Sequence, residues 1–225
     1  MKSKTKQMIS QIFEQIEFKA LGPVYCNEGG EEFWHDRKGP CQKLGIKVAQ
    51  ALRSRLPSGG RSLYVGAGVA EIPVLTMETQ ELNREVAVYN LRAEEVEVLN
   101  RACAGTSFRF LAQDARTASG GYDHLWIVSV LNDPEQFPTA SALSYGRANP
   151  VTFNPTEFTR ERKEIENLTG SCLSNLHVPG LVTTSVEETP WITDWCDRRS
   201  LPNIIEEKQY PTAIVGDPVC FIRVG

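Results

Sequence analysis

The residues best suited to chemistry are two glycines at alternate positions, Gly66 and Gly68, which follow a short apolar segment at 61–65. Glycine lets the backbone turn sharply and approach a ligand closely, and the N–H groups at the start of a following helix favour polar or anionic ligand atoms. The spacing therefore predicts a nucleotide-binding strand–loop–helix. A second apolar segment, 85–90, ends in Asn90 at the distance where such folds contact a ribose.

The elements that must position these residues alternate from residue 61 onward, which is typical of a parallel α/β sheet. Strands are predicted over 61–65, 85–90, 107–112, 123–130, 177–186, 204–210 and 219–224, and helices over about 70–83, 93–104 and 157–176. The last two strands lack a helix-length connection and so favour antiparallel pairing. We predict a doubly wound, mostly parallel seven-stranded sheet with an antiparallel C-terminal edge strand.

The segment before residue 61 predicts a helical N-terminal cap. Apolar residues recur at helical spacing from Met8 to Ile16, a Gly/Pro-rich loop occupies 22–40, and a second helix is predicted over 41–56. The whole chain, 1–225, is expected to form one domain: the N-terminal helix and loop at 1–40, and a core at 41–225 with an insertion at about 133–176.

Composition narrows the function classes. The chain has 225 residues, 41% of them hydrophobic, and a net charge of −4, so no basic footprint for nucleic acid is expected. Its six cysteines show no Cys-x-x-Cys spacing, which favours reduced thiols and no metal site. No signal peptide or membrane-spanning apolar run is seen, so a cytoplasmic protein without a membrane partner is expected.

The order of these features resembles the class I S-adenosylmethionine-dependent methyltransferases, a Rossmann-like family. In that family a glycine-loop strand follows two helices, acidic residues after the second and third strands contact the ribose and the adenine, and a terminal hairpin closes the sheet. The similar segments are 63–70 (glycine motif), 113–115 (adenine-side motif), 122–128 (fourth strand) and 176–182 (turn into the fifth strand). The topological resemblance spans about 40–225.

The resemblance implies S-adenosylmethionine as cofactor and methyl transfer to a small molecule as activity. It places the cofactor at Tyr64, Gly66, Gly68, Asn90, Leu91, Asp114 and Ala115. The family usually has Asp or Glu where Tyr64 and Asn90 stand, and a glycine where Ala70 stands. Losing one charge-assisted bond at Asn90 would weaken binding by about 1–2 kcal/mol. These departures motivate a second hypothesis, a non-catalytic binding or interaction protein of the same fold.

A third hypothesis is an NADP-binding oxidoreductase. Glu71 stands where the dinucleotide fingerprint has its third glycine, and its carboxylate would face phosphate, which is unfavourable. Arg92 is nevertheless a candidate partner for a 2′-phosphate, so this alternative stays open.

Three residues are candidates for catalysis. Asn132 and Asp133 follow the fourth strand at the sheet edge where α/β folds bind ligands, and the segment 132–137 is weakly similar to the Asn-Pro-Pro-aromatic motif of amine methyltransferases. The alternative is a polar turn in which Asp133 caps a helix at Pro134. His35 lies in the segment that often forms a lid in this family and could act as a base near neutral pH, or it lies in a solvent-facing loop.

Overall fold

The computed structural model describes residues 1–25, 29–214 and 216–225. Cys26, one of the predicted free thiols, lies outside this part of the chain. The described strands are β1 (Arg61–Val65), β2 (Glu85–Asn90), β3 (Phe110–Ala112), β4 (Tyr122–Ile127), β5 (Leu176–Ser185), β6 (Asn203–Ile205) and β7 (Val219–Val224). The α-helices are α1 (Ser3–Gln15), α2 (Lys38–Arg53), α3 (Ile72–Glu81), α4 (Ala93–Ala102), α5 (Pro138–Ser144), α6 (Pro155–Leu173) and α7 (Thr189–Asp197).

The described strands form one sheet in the order β3-β2-β1-β4-β5-β7-β6. The five strands from β3 to β5 pair in parallel, whereas β7 pairs antiparallel with both β5 and β6. The predicted mostly parallel seven-stranded sheet with antiparallel pairing at its C-terminal edge is therefore confirmed. The almost wholly apolar β4 is central, as a strand covered on both faces should be.

The two faces of the sheet bury alternate residues of the same strands. Tyr64 and Trp126 pack on the face covered by α1 to α4, whereas Leu63, Val65 and Ile127 pack on the face covered by α5 to α7. This period of two follows from the pleat of a β-strand.

The element boundaries differ from the predictions where glycine, proline or tertiary contacts compete with periodicity. The second helix starts at Lys38 rather than 41, β6 is shorter than the predicted 204–210, and the insertion contains α5, a helix that was not predicted. Because β1, β2 and β4 are parallel, their carboxyl ends meet at one edge of the sheet. None of the described helices is long and apolar enough to cross a membrane.

Candidate functional site

A cleft of about 930 Å³ lies at the carboxyl edge of the parallel strands. The segments that follow β1, β2, β3 and β4 all contribute to its wall, together with parts of the N-terminal cap and of the loop before β7. Of the predicted cofactor and catalytic residues, those that line the cleft are Gly66, Gly68, Asn90, Leu91, Asp114, Ala115, Asn132 and Asp133. The position agrees with the rule that open α/β sheets bind ligands at this edge.

Two predicted site residues do not line the cleft. Tyr64 is fully buried, its ring stacks on that of Trp126, and its hydroxyl donates to Glu78 Oε1 at 2.5 Å. The His35 side chain is 79% exposed and is paired with its neighbour Asp36. His35 therefore lies in a solvent-facing loop, which is the second of its two interpretations. Tyr25, from the same N-terminal segment, does contribute to the cleft wall.

The glycine loop is held by contacts within the protein. Gly66 has a positive φ of +67°, and a Cβ atom there would lie 2.5 Å from Val130 Cγ2. At Gly68 a Cβ atom would lie 2.7 Å from Glu95 Oε1, so the Glu95 side chain would have to shift. The positive φ of Gly66 thus favours glycine apart from any ligand's approach, and at Gly68 the packing of Glu95 leaves little space for a side chain.

Two main-chain donors of this loop already have acceptors. The Gly68 N–H donates to Glu71 Oε2 at 2.8 Å, and the Ala67 N–H donates to the Tyr89 carbonyl at 3.1 Å. We had expected free N–H groups here that would favour anionic atoms. Instead, the loop presents a carboxylate beside Gly68, and the local chemistry favours a cation or a hydrogen-bond donor.

A second carboxylate, Glu95, lies against the same loop. Its Oε1 accepts from the Tyr25 hydroxyl at 2.7 Å, and its Oε2 accepts from Asn90 Nδ2 at 3.2 Å. Among the described residues neither Glu71 nor Glu95 forms an ion pair with a lysine or arginine. Buried carboxylates are normally paired with a cation, so this pair is unusual.

Burial shifts the pKa values of these two carboxyl groups. Desolvation raises the pKa of Glu71 to about 7, and the negative charge of Glu95 adds to the effect, while the hydrogen bond from the Gly68 N–H opposes it. Desolvation also raises the pKa of Glu95, opposed by hydrogen bonds from Tyr25 and Asn90 and by the charge of Arg92. Perturbed carboxyl groups in a cleft are typical of functional sites.

Asn90 is oriented by three internal hydrogen bonds. Besides Glu95, its Nδ2 donates to the Ala67 carbonyl at 2.8 Å, and its Oδ1 accepts from the Arg92 N–H at 2.8 Å. The Arg92 guanidinium, considered above for a 2′-phosphate, donates to Glu135 at 2.7 Å. Asn90 thus connects the end of the second strand to the Glu95 carboxylate.

The segments after β2 and β3 form a flatter part of the cleft. Leu91 is 56% exposed, whereas Ala115 is buried, and both offer apolar contact. Asp114 accepts from the Arg116 main chain at 2.8 Å and forms an ion pair with the Arg116 guanidinium at 2.6 Å, which lowers the pKa of Asp114.

The loop that leaves β4 is clamped by one buried carboxylate, Glu188. Its oxygens accept from the successive N–H groups of Ser129, Val130 and Leu131 at 2.9, 2.6 and 2.5 Å. The Ser185 hydroxyl donates to the same group at 2.7 Å. Three consecutive amides on one carboxylate hold Ser129 at a positive φ of +57°, a conformation that a non-glycine residue seldom adopts unsupported.

The two residues predicted after β4 lie at the other end of the cleft. Asn132 is 2% exposed, and its Oδ1 accepts from Trp191 Nε1 at 3.3 Å. The Asp133 carboxylate accepts from the Glu135 N–H at 2.8 Å and so closes a turn, but the next helix begins at Pro138 and not at Pro134. The polar turn at Asp133 is therefore present, but the helix expected to start at Pro134 starts at Pro138 instead.

Tyr25, Glu95 and Glu188 were not identified from the sequence as functional candidates. Glu95 stands in the first turn of a predicted helix, where an acidic residue is ordinary, so only tertiary contact reveals its place against Gly68. Within the described residues, no group of three or more His, Cys, Asp or Glu side chains is arranged to hold a metal ion.

No protein-family model and no curated protein sequence matches the chain. Its fold is similar to that of magnesium protoporphyrin IX methyltransferase (ChlM) from Synechocystis PCC 6803 with bound SAM, with a TM-score of 0.55, 12% identity, and coverage of 93% of this chain and 98% of that chain. The same enzyme with bound SAH gives a TM-score of 0.53 at 12% identity, covering 93% and 100%. The chain therefore has the class I methyltransferase fold, in a divergent sequence.

Proposed function

We propose that the protein is an S-adenosylmethionine-dependent methyltransferase that acts on a small molecule. The proposal is supported by the fold, by the cleft at the carboxyl edge, and by solved structures of similar fold that hold SAM or SAH. The observation that carries it is the Glu71 carboxylate that accepts from the Gly68 N–H, with Glu95 packed against the same glycine.

This observation separates a sulfonium cofactor from a dinucleotide. A pyrophosphate is bound by free N–H groups at a glycine loop and helix start. Here the Gly68 donor is already taken and two carboxylates lie beside it, so a phosphate would be repelled. A positively charged sulfonium and ammonium, or a ribose hydroxyl, would instead meet acceptors.

The residues present fit this cofactor. The cleft volume of about 930 Å³ is at the upper end of the roughly 300–1,000 Å³ range of ligand pockets, which leaves room for an acceptor beside it. Glu71 and Glu95 would hold the cationic and hydroxyl groups, Leu91 and Ala115 would contact the purine, and Asp114 would offer it an acceptor. When bound, S-adenosylmethionine supplies an electrophilic methyl group, whose C–S bond breaks as the acceptor's lone pair bonds to carbon and a neutral thioether leaves.

The chain's own contribution is to position the two ligands. The Glu188 clamp fixes the β4 loop, and with it the Val130 side chain that packs against Gly66, so that two ligands can be aligned in one cleft. Alignment of this kind supplies much of the rate of a simple displacement.

Isothermal titration calorimetry tests the proposal with S-adenosylmethionine, S-adenosylhomocysteine and NADPH. We expect heat with the first two ligands and none with NADPH. Binding of NADPH alone would replace the proposal by the oxidoreductase hypothesis.

A second candidate is a non-catalytic protein of the same fold. It is favoured by the internal hydrogen bonds of Asn90 and Gly68, which leave fewer free groups for a cofactor than the sequence predicted. The absence of heat with all three ligands would support this candidate.

A further inference from the structure

The amide of Asn132 has a fixed polarity in the cleft wall. Its Oδ1 accepts from Trp191 Nε1 at 3.3 Å and from the Ser144 hydroxyl at 3.4 Å. An indole N–H only donates, so it determines which end of the amide is the oxygen. The other end, Asn132 Nδ2, is buried and has no hydrogen-bond partner among the described residues.

An unpaired buried donor needs an explanation, since nearly all such groups in native proteins are bonded. The loop cannot relieve it easily, because Glu188 holds the N–H groups of Ser129, Val130 and Leu131 immediately before Asn132. Asn132 also lines the cleft. A hydrogen-bond acceptor on a ligand in the cleft would satisfy this donor.

A cationic donor lies on the adjoining segment. Tyr145 follows Ser144, which contacts Asn132, and the Arg147 guanidinium packs over the Tyr145 ring at 4.9 Å. Arg147 lines the same cleft and forms no ion pair with a described residue. The acidic group nearest to this ring, Asp217, already accepts from the Tyr145 hydroxyl.

We infer that the methyl acceptor is a small molecule with a carboxylate, which Asn132 Nδ2 and the Arg147 guanidinium bind. The inference rests on the proposed function and names the acceptor's recognition group, not the atom that receives the methyl group. At Asn132 itself, an amine would need the amide oxygen, which already accepts from Trp191 and from Ser144. Asn132 therefore offers the acceptor molecule a hydrogen-bond donor. The weak similarity to amine methyltransferases would instead lead us to expect a hydrogen-bond acceptor at this position.

The test compares benzoate with benzylamine, two probes that share a ring and differ in charge. Binding is measured by ligand-observed NMR and calorimetry, with the protein alone and saturated with S-adenosylhomocysteine. We expect benzoate to bind more tightly than benzylamine. Asn132→Ala should weaken benzoate about ten-fold, Asn132→Asp should weaken it further by repulsion, and Arg147→Met should weaken it several-fold.

Asn167→Ala is the matched control, since Asn167 is exposed on α6 outside this cleft. Its benzoate affinity should equal that of the wild type. In every variant, a normal S-adenosylhomocysteine affinity and melting curve show that the fold is intact.

Three outcomes overturn the inference: benzylamine binds more tightly than benzoate, benzoate binds equally well to Asn132→Ala, or benzoate does not bind. Normal binding of S-adenosylhomocysteine in such an experiment leaves the proposed function standing. If S-adenosylhomocysteine does not bind, the proposed function fails, and the inference of a methyl acceptor fails with it; the comparison of the two probes with the protein alone then reports only whether this wall of the cleft prefers a carboxylate.

Discussion

Two sites with buried carboxylates, one around Glu78 and one formed by Glu71 and Glu95, differ in how their charge is balanced. In the first, Glu78 accepts from Arg84 Nε at 3.1 Å and from the Tyr64 hydroxyl, and it lies 3.1 Å from His124 Nδ1. Both the Glu78 and the Arg84 side chains are fully buried. In the second, Glu71 and Glu95 line the cleft without a cationic partner among the described residues.

The pKa values follow this difference. Burial alone would raise the pKa of Glu78, but the charge of His124 and the hydrogen bonds from His124, Ser62 and Tyr64 lower it overall. Burial raises the pKa of Glu71 and of Glu95, and their partners compensate only in part. The charge of Glu78 is balanced by groups of the protein itself. Under the proposed function, a bound ligand balances the charges of Glu71 and Glu95, the cleft pair.

The largest expected effect comes from breaking the ion pair at Glu78. Arg84→Ala would remove the buried guanidinium that pairs with both Glu78 and Asp123, and it should lower the free energy of unfolding by about 3–5 kcal/mol. Urea denaturation measures this. Arg101→Ala, which breaks an exposed pair with Glu97, is the control and should change stability by less than about 1 kcal/mol. Equal losses in the two variants would contradict the comparison.

Neutralising the cleft pair should affect binding rather than folding. Glu71→Gln and Glu95→Gln should each weaken S-adenosylmethionine binding by about ten-fold to a hundred-fold, because each removes a charged acceptor. S-adenosylhomocysteine, which has a neutral sulfur, should lose less. The free energy of unfolding at pH 8 should not fall. A stability loss as large as that of Arg84→Ala, with unchanged cofactor affinity, would show that the cleft pair is structural as well.

The pH dependence of binding gives a third measurement. Since the pKa of Glu71 is about 7, its carboxyl group becomes charged as the pH rises from 6 to 8, and affinity for a cationic cofactor should rise up to about ten-fold. The ionisable groups that interact with Glu71 are Glu95, Tyr25, Cys41 and Tyr64. Calorimetry at several pH values should show this rise in the wild type and a smaller one in Glu71→Gln.

The raised pKa of Glu71 also determines how its contribution to stability changes with pH. The folded-state pKa of Glu71 lies above its ordinary value of 4.5, so the folded protein holds this proton more tightly than the unfolded chain does. The contribution of Glu71 to stability therefore decreases as the pH rises from about 4.5 to about 7. The lowered pKa of Glu78 has the opposite consequence, because its contribution is lost as the pH falls.

The smallest effect is expected at Asp114, which already has a charged partner in Arg116 at the partly exposed edge of the cleft. Asp114→Ala should weaken S-adenosylhomocysteine binding by a few-fold only, about 1 kcal/mol, and the loss should shrink in high salt. Titration at two salt concentrations measures it. A hundred-fold loss of affinity would contradict this expectation and would show that Asp114 contributes to cofactor binding as strongly as Glu71.

The sequence predicted the sheet well because the apolar segments are short, and β1 and β7 are also bounded by glycine or proline. The limits of β1, β2 and β7 agree with the predictions to the residue. The position of the cleft could also be predicted from the sequence, because the carboxyl ends of parallel strands must meet at one edge of the sheet. The turn at Asp133 was foreseen, but α5 was not, because a short helix rich in Ser, Thr and Ala has weak periodicity.

The polar contacts of the site were harder to predict. Glu71 was recognised as unfavourable to phosphate, but its bond to the Gly68 N–H depends on how a short turn packs. Tyr25 and Glu95 are 70 positions apart and meet only in three dimensions. Spacing along a chain carries no signal for such pairs, which is why Tyr64 was placed with the cofactor and Glu95 was overlooked.

The Glu188 clamp has a consequence for redesign of the protein. Val130, which packs against Gly66, and Asn132, which faces the other end of the cleft, are both in or directly after the loop held by this carboxylate. A substitution within residues 129–131, which Glu188 holds, would therefore disturb both the packing against Gly66 and the position of Asn132. Directed evolution of acceptor choice should begin instead with the helix and turn at 138–147, which reach the cleft without bonding to Glu188.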